Sequence, residues 1–172
     1  SNGGSDLDSD GICDDGDNCQ GGDDNYDSDG DGKPDDCDVD LALHDGANLI
    51  SFFALPEDGD SSVETIFGPL GDNIVKILGE SQVALNLGDG LWVGSLDEVD
   101  RSDGYWAVLI NGQSLEVQGL PTAPVSYGVH EGNNLISYDY AYDQNIESAF
   151  PPSAVDDMEA VYGEGVMAYI DG

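Results

Sequence analysis

The sequence predicts a mainly β protein: an irregular acidic arm at the amino terminus, then a β-sandwich-like domain built from one complete and one truncated repeat of about 85 residues. Three observations predict it. Acidic side chains crowd the first forty residues, where apolar ones are scarce. Beyond Asp40 the chain turns into short apolar segments punctuated by Gly, Asn and Asp, the signature of strands and turns. The segment HDGANLIS at His44 returns as HEGNNLIS at His130.

The 172 residues suffice for one domain with an appendage or for two small domains, and the expected division is residues 1–40, 41–120 and 121–172. Thirty-seven acidic groups face three basic ones, Lys33, Lys76 and Arg101, for a formal charge of −34. Such a chain repels itself unless cations neutralise it. It also lacks the Lys and Arg needed to displace counterions from nucleic acid or to bind anionic lipid, so neither is an expected partner. No run of eighteen apolar residues is present to cross a bilayer, and SNGGSDLDSD has neither a basic nor an apolar stretch like a signal peptide. The chain is expected to be a mature or trimmed product.

The arm holds 15 of the aspartates and one lysine. Leu7, Ile12, Tyr26, Pro34, Val39 and three cysteines bury too little to offset the entropy of ordering forty residues. Metal ions and disulfides are the usual substitutes at this size. Asp6 to Asp17 reads DLDSDGICDDGD, with oxygen-bearing residues at places one, three, five, nine and twelve and Gly at six. This is calcium-loop spacing: Asp6, Asp8 and Asp10 offer carboxylates, Gly11 the sharp turn, Ile12 its carbonyl, Asp14 a direct or water-mediated oxygen, and Asp17 closes the sphere. Asp27 to Asp38, DSDGDGKPDDCD, repeats the pattern with Asp27, Asp29, Asp31, Gly32, the Lys33 carbonyl, Asp35 and Asp38. Carboxylates packed this densely repel one another, and calcium, which takes six to eight oxygens, removes the difficulty. At least two Ca2+ ions are therefore expected. Both loops end in Asp without flanking amphipathic helices, which disfavours an EF-hand.

With the two loops, Asp17-Asn18-Cys19 and Asp36-Cys37-Asp38, residues 6–40 resemble a thrombospondin type 3 repeat of the form found in bacterial surface proteins. The resemblance implies a calcium-wrapped segment of little regular secondary structure. It adds Asp23, Asp24 and Asn25 as oxygen donors between the loops, and it implies a Cys19–Cys37 disulfide, with Cys13–Cys19 as the competing pair. Gln20-Gly21-Gly22 stands where that family usually has Pro after Cys. Zinc is disfavoured, because hard carboxylates dominate and both histidines are remote.

In the β-rich part, strands are expected at Asn48–Ala54, Ile74–Leu78, Val83–Leu87, Tyr105–Ile110 and Leu115–Gln118, with VALNL-GDG-LWVGS as a hairpin. Asn111-Gly112 predicts a type I′ turn joining the last two strands. A short helix is expected over Ser62–Phe67, capped by Ser61 or Ser62. The repeat continues with VETIF at Val63 returning as IESAF at Ile146, and Gly79-Glu80 as Gly163-Glu164. The second copy stops after Val166–Ile170, so its hairpin lacks the strands that follow in the first copy. An unpartnered strand is a template for another chain.

His44 and His130 occupy equivalent repeat positions, which points to turn hydrogen bonding rather than catalysis. No G-x-S-x-G, H-E-x-x-H or phosphate-cradling loop occurs. Trp92, Tyr105 and Trp106 are core candidates or a sugar platform, and strand alternation allows burial of only one of the last two. The expected function is non-catalytic: a calcium-binding structural protein of an extracellular fibre, adhesin or surface layer, self-associating or joined to another surface protein. Two readings of the truncated copy stand side by side: a neighbouring subunit supplies the missing strands head to tail, or the rest of the repeat is cleaved or omitted. A carbohydrate-binding module of a larger secreted enzyme, with polysaccharide as ligand, and a dockerin-like connector are the alternatives.

Overall fold

The computed structural model describes residues 5–6, 8–56, 59–121 and 125–170; Leu7 and the chain end at Asp171-Gly172 fall outside them. Nine strands and three short α-helices are present among the described residues, and every strand pairing is antiparallel. The mainly β class is therefore as the sequence predicts. Two compact units divide the chain, Ser1–Ala141 and Tyr142–Gly172.

In the first unit, β1 (Asp38–Leu43) and β7 (Gln113–Gln118) form a two-stranded ribbon running from Asp38 opposite Gln118 to Leu43 opposite Gln113. Its period-two pattern buries Val39, Leu43, Leu115 and Val117 and turns Asp40 and Glu116 outward. A five-stranded sheet follows the order β2 (Gly46–Ile50), β6 (Tyr105–Leu109), β3 (Ile74–Gly79), β4 (Gln82–Asn86), β5 (Trp92–Gly94). The expected VALNL-GDG-LWVGS hairpin is the β4–β5 pair, with Leu85 opposite Val93. Helix α1 (Val63–Phe67) starts where Ser62 accepts a hydrogen bond from the Thr65 amide at 3.3 Å, the N-cap the sequence allows. Ribbon, sheet and α1 bury their apolar faces in one cluster centred on Phe52, Phe67, Ile77 and Tyr105. Phe52 meets Phe67 edge-on at 5.9 Å between ring centroids.

Two sequence expectations fail here. Asn111-Gly112 does not close a hairpin, since β6 pairs with β2 and β3 while β7 pairs with β1. Neither residue has the positive φ a type I′ turn requires. The link passes from one sheet to the other, held by the Asn73 side chain, which accepts from the Asn111 amide at 3.0 Å and donates to the Asn111 carbonyl at 2.9 Å. The strand expected over Asn48–Ala54 ends at Ile50, because Phe52 and Ala54 leave the sheet to enter the core.

The repeated turn keeps its geometry. The His44 amide donates to Asn48 Oδ1 at 2.8 Å and Asn48 Nδ2 returns to the His44 carbonyl at 2.9 Å; His130 and Asn134 do the same at 2.8 and 2.9 Å. Both histidines also bond through Nδ1 to the next carbonyl, Asp45 or Glu131, so they serve the turn as expected. In the second unit, α2 (Ile146–Ala149) and α3 (Pro152–Val155) precede β8 (Ala160–Gly163) and β9 (Val166–Tyr169). This hairpin pairs Gly163 with Val166 as β3–β4 pairs Gly79 with Gln82, and each reversal carries one positive φ, at Gly165 and Ser81. No helix among the described residues is long and apolar enough to cross a membrane.

Candidate metal centre in the acidic arm

The two aspartate loops fold alike. In the first, the Asp10 amide donates to Asp8 Oδ1 at 3.2 Å and the Ile12 amide to Asp10 Oδ1 at 2.7 Å. In the second, Asp31 donates to Asp29 Oδ1 at 3.0 Å and Lys33 to Asp31 Oδ1 at 2.9 Å. Gly11 and Gly32, each in sixth place, have φ of 96° and 95°, the left-handed backbone that the sharp turn needs. Even the entry is shared: Asp14 donates to the Ser5 carbonyl at 2.9 Å, and Asp35 to that of Tyr26 at 2.8 Å. The carboxylates of places one, three and five converge in each loop. Asp6, Asp8 and Asp10 bring ligand atoms within 4.8 Å of one another, and so do Asp27, Asp29 and Asp31.

The stretch between the loops wraps back onto the first. Gly21 donates to Asp8 Oδ2 at 3.1 Å and Asp24 to Asp10 Oδ2 at 3.0 Å, while the Asp24 carboxylate accepts from the Asn18 and Cys19 amides. Asp24 thus joins the first loop. Asp23 and Asn25 turn to each other, Asp23 Oδ1 accepting from the Asn25 amide and Nδ2 at 2.9 and 2.8 Å, which holds the Asp23 carboxyl below its ordinary value. Asp35 Oδ1 takes the Ser28 amide at 2.8 Å. A Cys19–Cys37 disulfide fastens the arm, with Cα atoms 5.6 Å apart and both cysteines buried; Cys13 is exposed and outside it.

The closing aspartates behave differently from the rest. Asp17 Oδ2 and Asp38 Oδ1 are buried oxygens without a hydrogen-bond partner. They come from the twelfth places of the two loops. Burial, then the charges of Asp24, Asp8 and Asp10, push the Asp17 carboxyl up, against the Cys19 amide that lowers it. Burial likewise raises Asp38, with Asp40 the next cause. A carboxylate oxygen buried without donor or ion costs on the order of 1–3 kcal/mol or more. A hard cation satisfies it, and each carboxylate oxygen already bonded to an amide keeps a second lone pair for the same ion. The donor set therefore fits an oxygen-seeking divalent ion.

Lys33 has a side-chain part as well as the carbonyl expected of it. Its side chain enters the second loop, with Nζ 3.0 Å from Asp31 Oδ2, 3.5 Å from Asp38 Oδ2 and 3.3 Å from Glu116 Oε2. Asp31 first among these neighbours holds the ammonium above its ordinary pKa. Glu116 and its neighbour across the ribbon, Asp40, were not among the residues singled out by sequence. The signal was the alternation Asp38-x-Asp40, which reads as one face of a strand only once β1 is known.

No protein-family model matches the chain, no curated protein matches it, and no solved structure matches it.

Proposed function

We propose that this chain is a non-catalytic, calcium-binding structural protein of an extracellular fibre, adhesin or surface layer, whose amino-terminal arm is a thrombospondin type 3-like segment made rigid by calcium. The observation that carries the reading is the pair of partnerless buried oxygens on Asp17 and Asp38, at the same place in two loops of the same geometry. Asp6, Asp8, Asp10 and Asp17 would hold one ion and Asp27, Asp29, Asp31 and Asp38 another. The Ile12 and Lys33 carbonyls, Asp14, Asp35 and Asp24 supply further oxygens. The converging groups contain carboxylates and neither imidazole nor thiol, which favours calcium over transition metals. A disulfide is compatible with an oxidising, extracellular setting.

Assembly is the second part of the proposal. The β8–β9 hairpin repeats the β3–β4 register, and β3 has β6 on its other side, whereas among the described residues sheet β8–β9 has two strands. Isolated two-stranded hairpins are marginal in water. A strand from a neighbouring subunit, added to β8, makes a filament of such units.

The test is equilibrium dialysis against calcium followed by metal analysis. At least two ions per chain are expected, and chelator is expected to expose the arm to protease while the β-rich part resists. Fewer than two ions, or an arm equally resistant in chelator, contradicts the calcium reading; a monomer at high concentration in calcium contradicts assembly.

A further inference from the structure

The five-stranded sheet is apolar on both faces. Ile50, Tyr105, Ile77 and Ala84 point inward to the core, and the residues that alternate with them point away from it. These outward side chains stand opposite one another in two rows: Leu49, Trp106, Leu78 and Val83, then Val108, Lys76, Leu85 and Val93. A sheet with one face in water ordinarily alternates apolar-in with polar-out. Here every member of both rows except Lys76 is apolar and none is acidic, on a chain with 37 acidic groups. Leu85 and Val93 are 39 % and 41 % exposed. Lys76 enters no ion pair or hydrogen bond among the described residues, whereas Lys33 holds Asp31 and Arg101 holds Asp139. The second repeat keeps the same face. With β8–β9 in the β3–β4 register, the Leu78–Val83 pair becomes Tyr162–Met167 and the Lys76–Leu85 pair becomes Ala160–Tyr169. Tyr162, Met167 and Tyr169 are all more than half exposed, and neither strand of that hairpin carries a charge.

We infer that the outward face of the five-stranded sheet is a docking surface for the β8–β9 hairpin of another molecule of this chain, with Tyr162, Met167 and Tyr169 seated across the rows of Trp106 and Leu85. Charge selects this occupant. At −34 two molecules repel one another, so they approach where both are apolar and free of carboxylates. Two five-stranded faces packed together would bring a second ammonium to a surface with no acid to neutralise either. The hairpin instead brings tyrosine rings, whose negative faces attract the Lys76 ammonium, and Glu159 immediately before β8. A hairpin alone is marginal in water, and covering its aromatic side removes that weakness. The contact joins unlike surfaces, so it links molecules head to tail. The inference rests on the self-association already proposed and adds a side-chain contact to the main-chain pairing at the β8 edge.

The test is sedimentation velocity of the full chain in calcium over rising concentration, with Leu85→Glu and Tyr169→Glu as variants. Both positions are exposed, and a glutamate at the first stands opposite Lys76, so folding is retained and is checked by amide NMR spectra. The wild-type chain is expected to form oligomers beyond the dimer, and each variant alone to stay monomeric. An equimolar mixture is expected to stop at a one-to-one dimer, because Leu85→Glu supplies an intact hairpin and Tyr169→Glu an intact sheet face. Leu85→Glu oligomers like those of wild type overturn the docking surface and leave strand addition standing. A mixture that stays monomeric, or Tyr169→Glu that oligomerises as wild type does, overturns the hairpin as the occupant. A wild-type chain that is monomeric throughout overturns both.

Discussion

Gly22 shows how little slack a core-poor arm leaves. A Cβ there would lie 2.6 Å from Cys19 Sγ and 2.6 Å from Asp36 Cβ, so the glycine is what lets the chain pass over the disulfide. Gly22→Ala is expected to lower stability by about 1–3 kcal/mol, read from the denaturant midpoint of the oxidised protein. At His130 the carbonyl of Glu131 first, and the Glu80 carboxylate second, raise the imidazole pKa above its ordinary value. The stabilisation this represents is fully present below the unfolded value and is lost as pH rises through the folded one. Glu80→Gln removes only the second cause, so the His130 titration followed by NMR is expected to move part of the way back; an unmoved midpoint contradicts the pairing. Asp38 shifts in the same direction for a different reason. Its folded pKa is raised by burial, so in chelator stability falls as pH rises from the ordinary carboxylate value of about 3.9 through the raised one. Carboxylates held low, such as Asp23 and Asp31, lose their contribution only below that ordinary value, so they do not act between pH 5 and 7. The chelated protein is expected to lose stability, read as melting temperature, as pH rises above the ordinary carboxylate value, with Asp38 and His130 acting in the same direction, and the calcium-loaded protein to gain it, because protons compete with the ion at lower pH. The same pH order in both conditions contradicts a cation at Asp38.

At the scale of elements, legibility followed how local the cause was. Loop spacing, the Ser62 cap and the β4–β5 hairpin are decided within a dozen residues, and each stands where the sequence put it. The Asn111-Gly112 turn was misread because a dipeptide reports local preference, whereas Asn73, far along the chain, fixes the path between two sheets. Strand β1 was missed because DVDLAL is one third aspartate, and aspartate is poor on strand propensity alone. What makes it a strand is pairing with β7, a partner some seventy-five residues away in sequence. The same blindness hid Asp40 and Glu116, which become neighbours only through that pairing. The repeat was legible as letters, and its physical content is the recurring His–Asn turn and the hairpin register, preserved although the first copy sits in a five-stranded sheet and the second in a two-stranded one.

For the whole molecule the governing quantity is a charge of −34 spread over two kinds of structure. The β-rich part buries a contiguous apolar cluster and tolerates its share of the charge. The arm has amide-to-carboxylate ladders and one disulfide spanning 18 residues, worth about 3 kcal/mol in chain entropy, to set against the repulsion of fifteen aspartates. In the proposed function cations supply the missing favourable contribution, at the buried, partnerless oxygens of the two closing aspartates. The most direct measurement is a crystal structure of the calcium-loaded protein with anomalous scattering used to locate the ions. The account predicts separate anomalous peaks in the two loops, with Asp17 Oδ2 and Asp38 Oδ1 each at calcium–oxygen distance, about 2.3–2.6 Å, from an ion. Ordered density for both aspartates with only water or nothing beside those oxygens, in crystals grown with millimolar calcium, would contradict it.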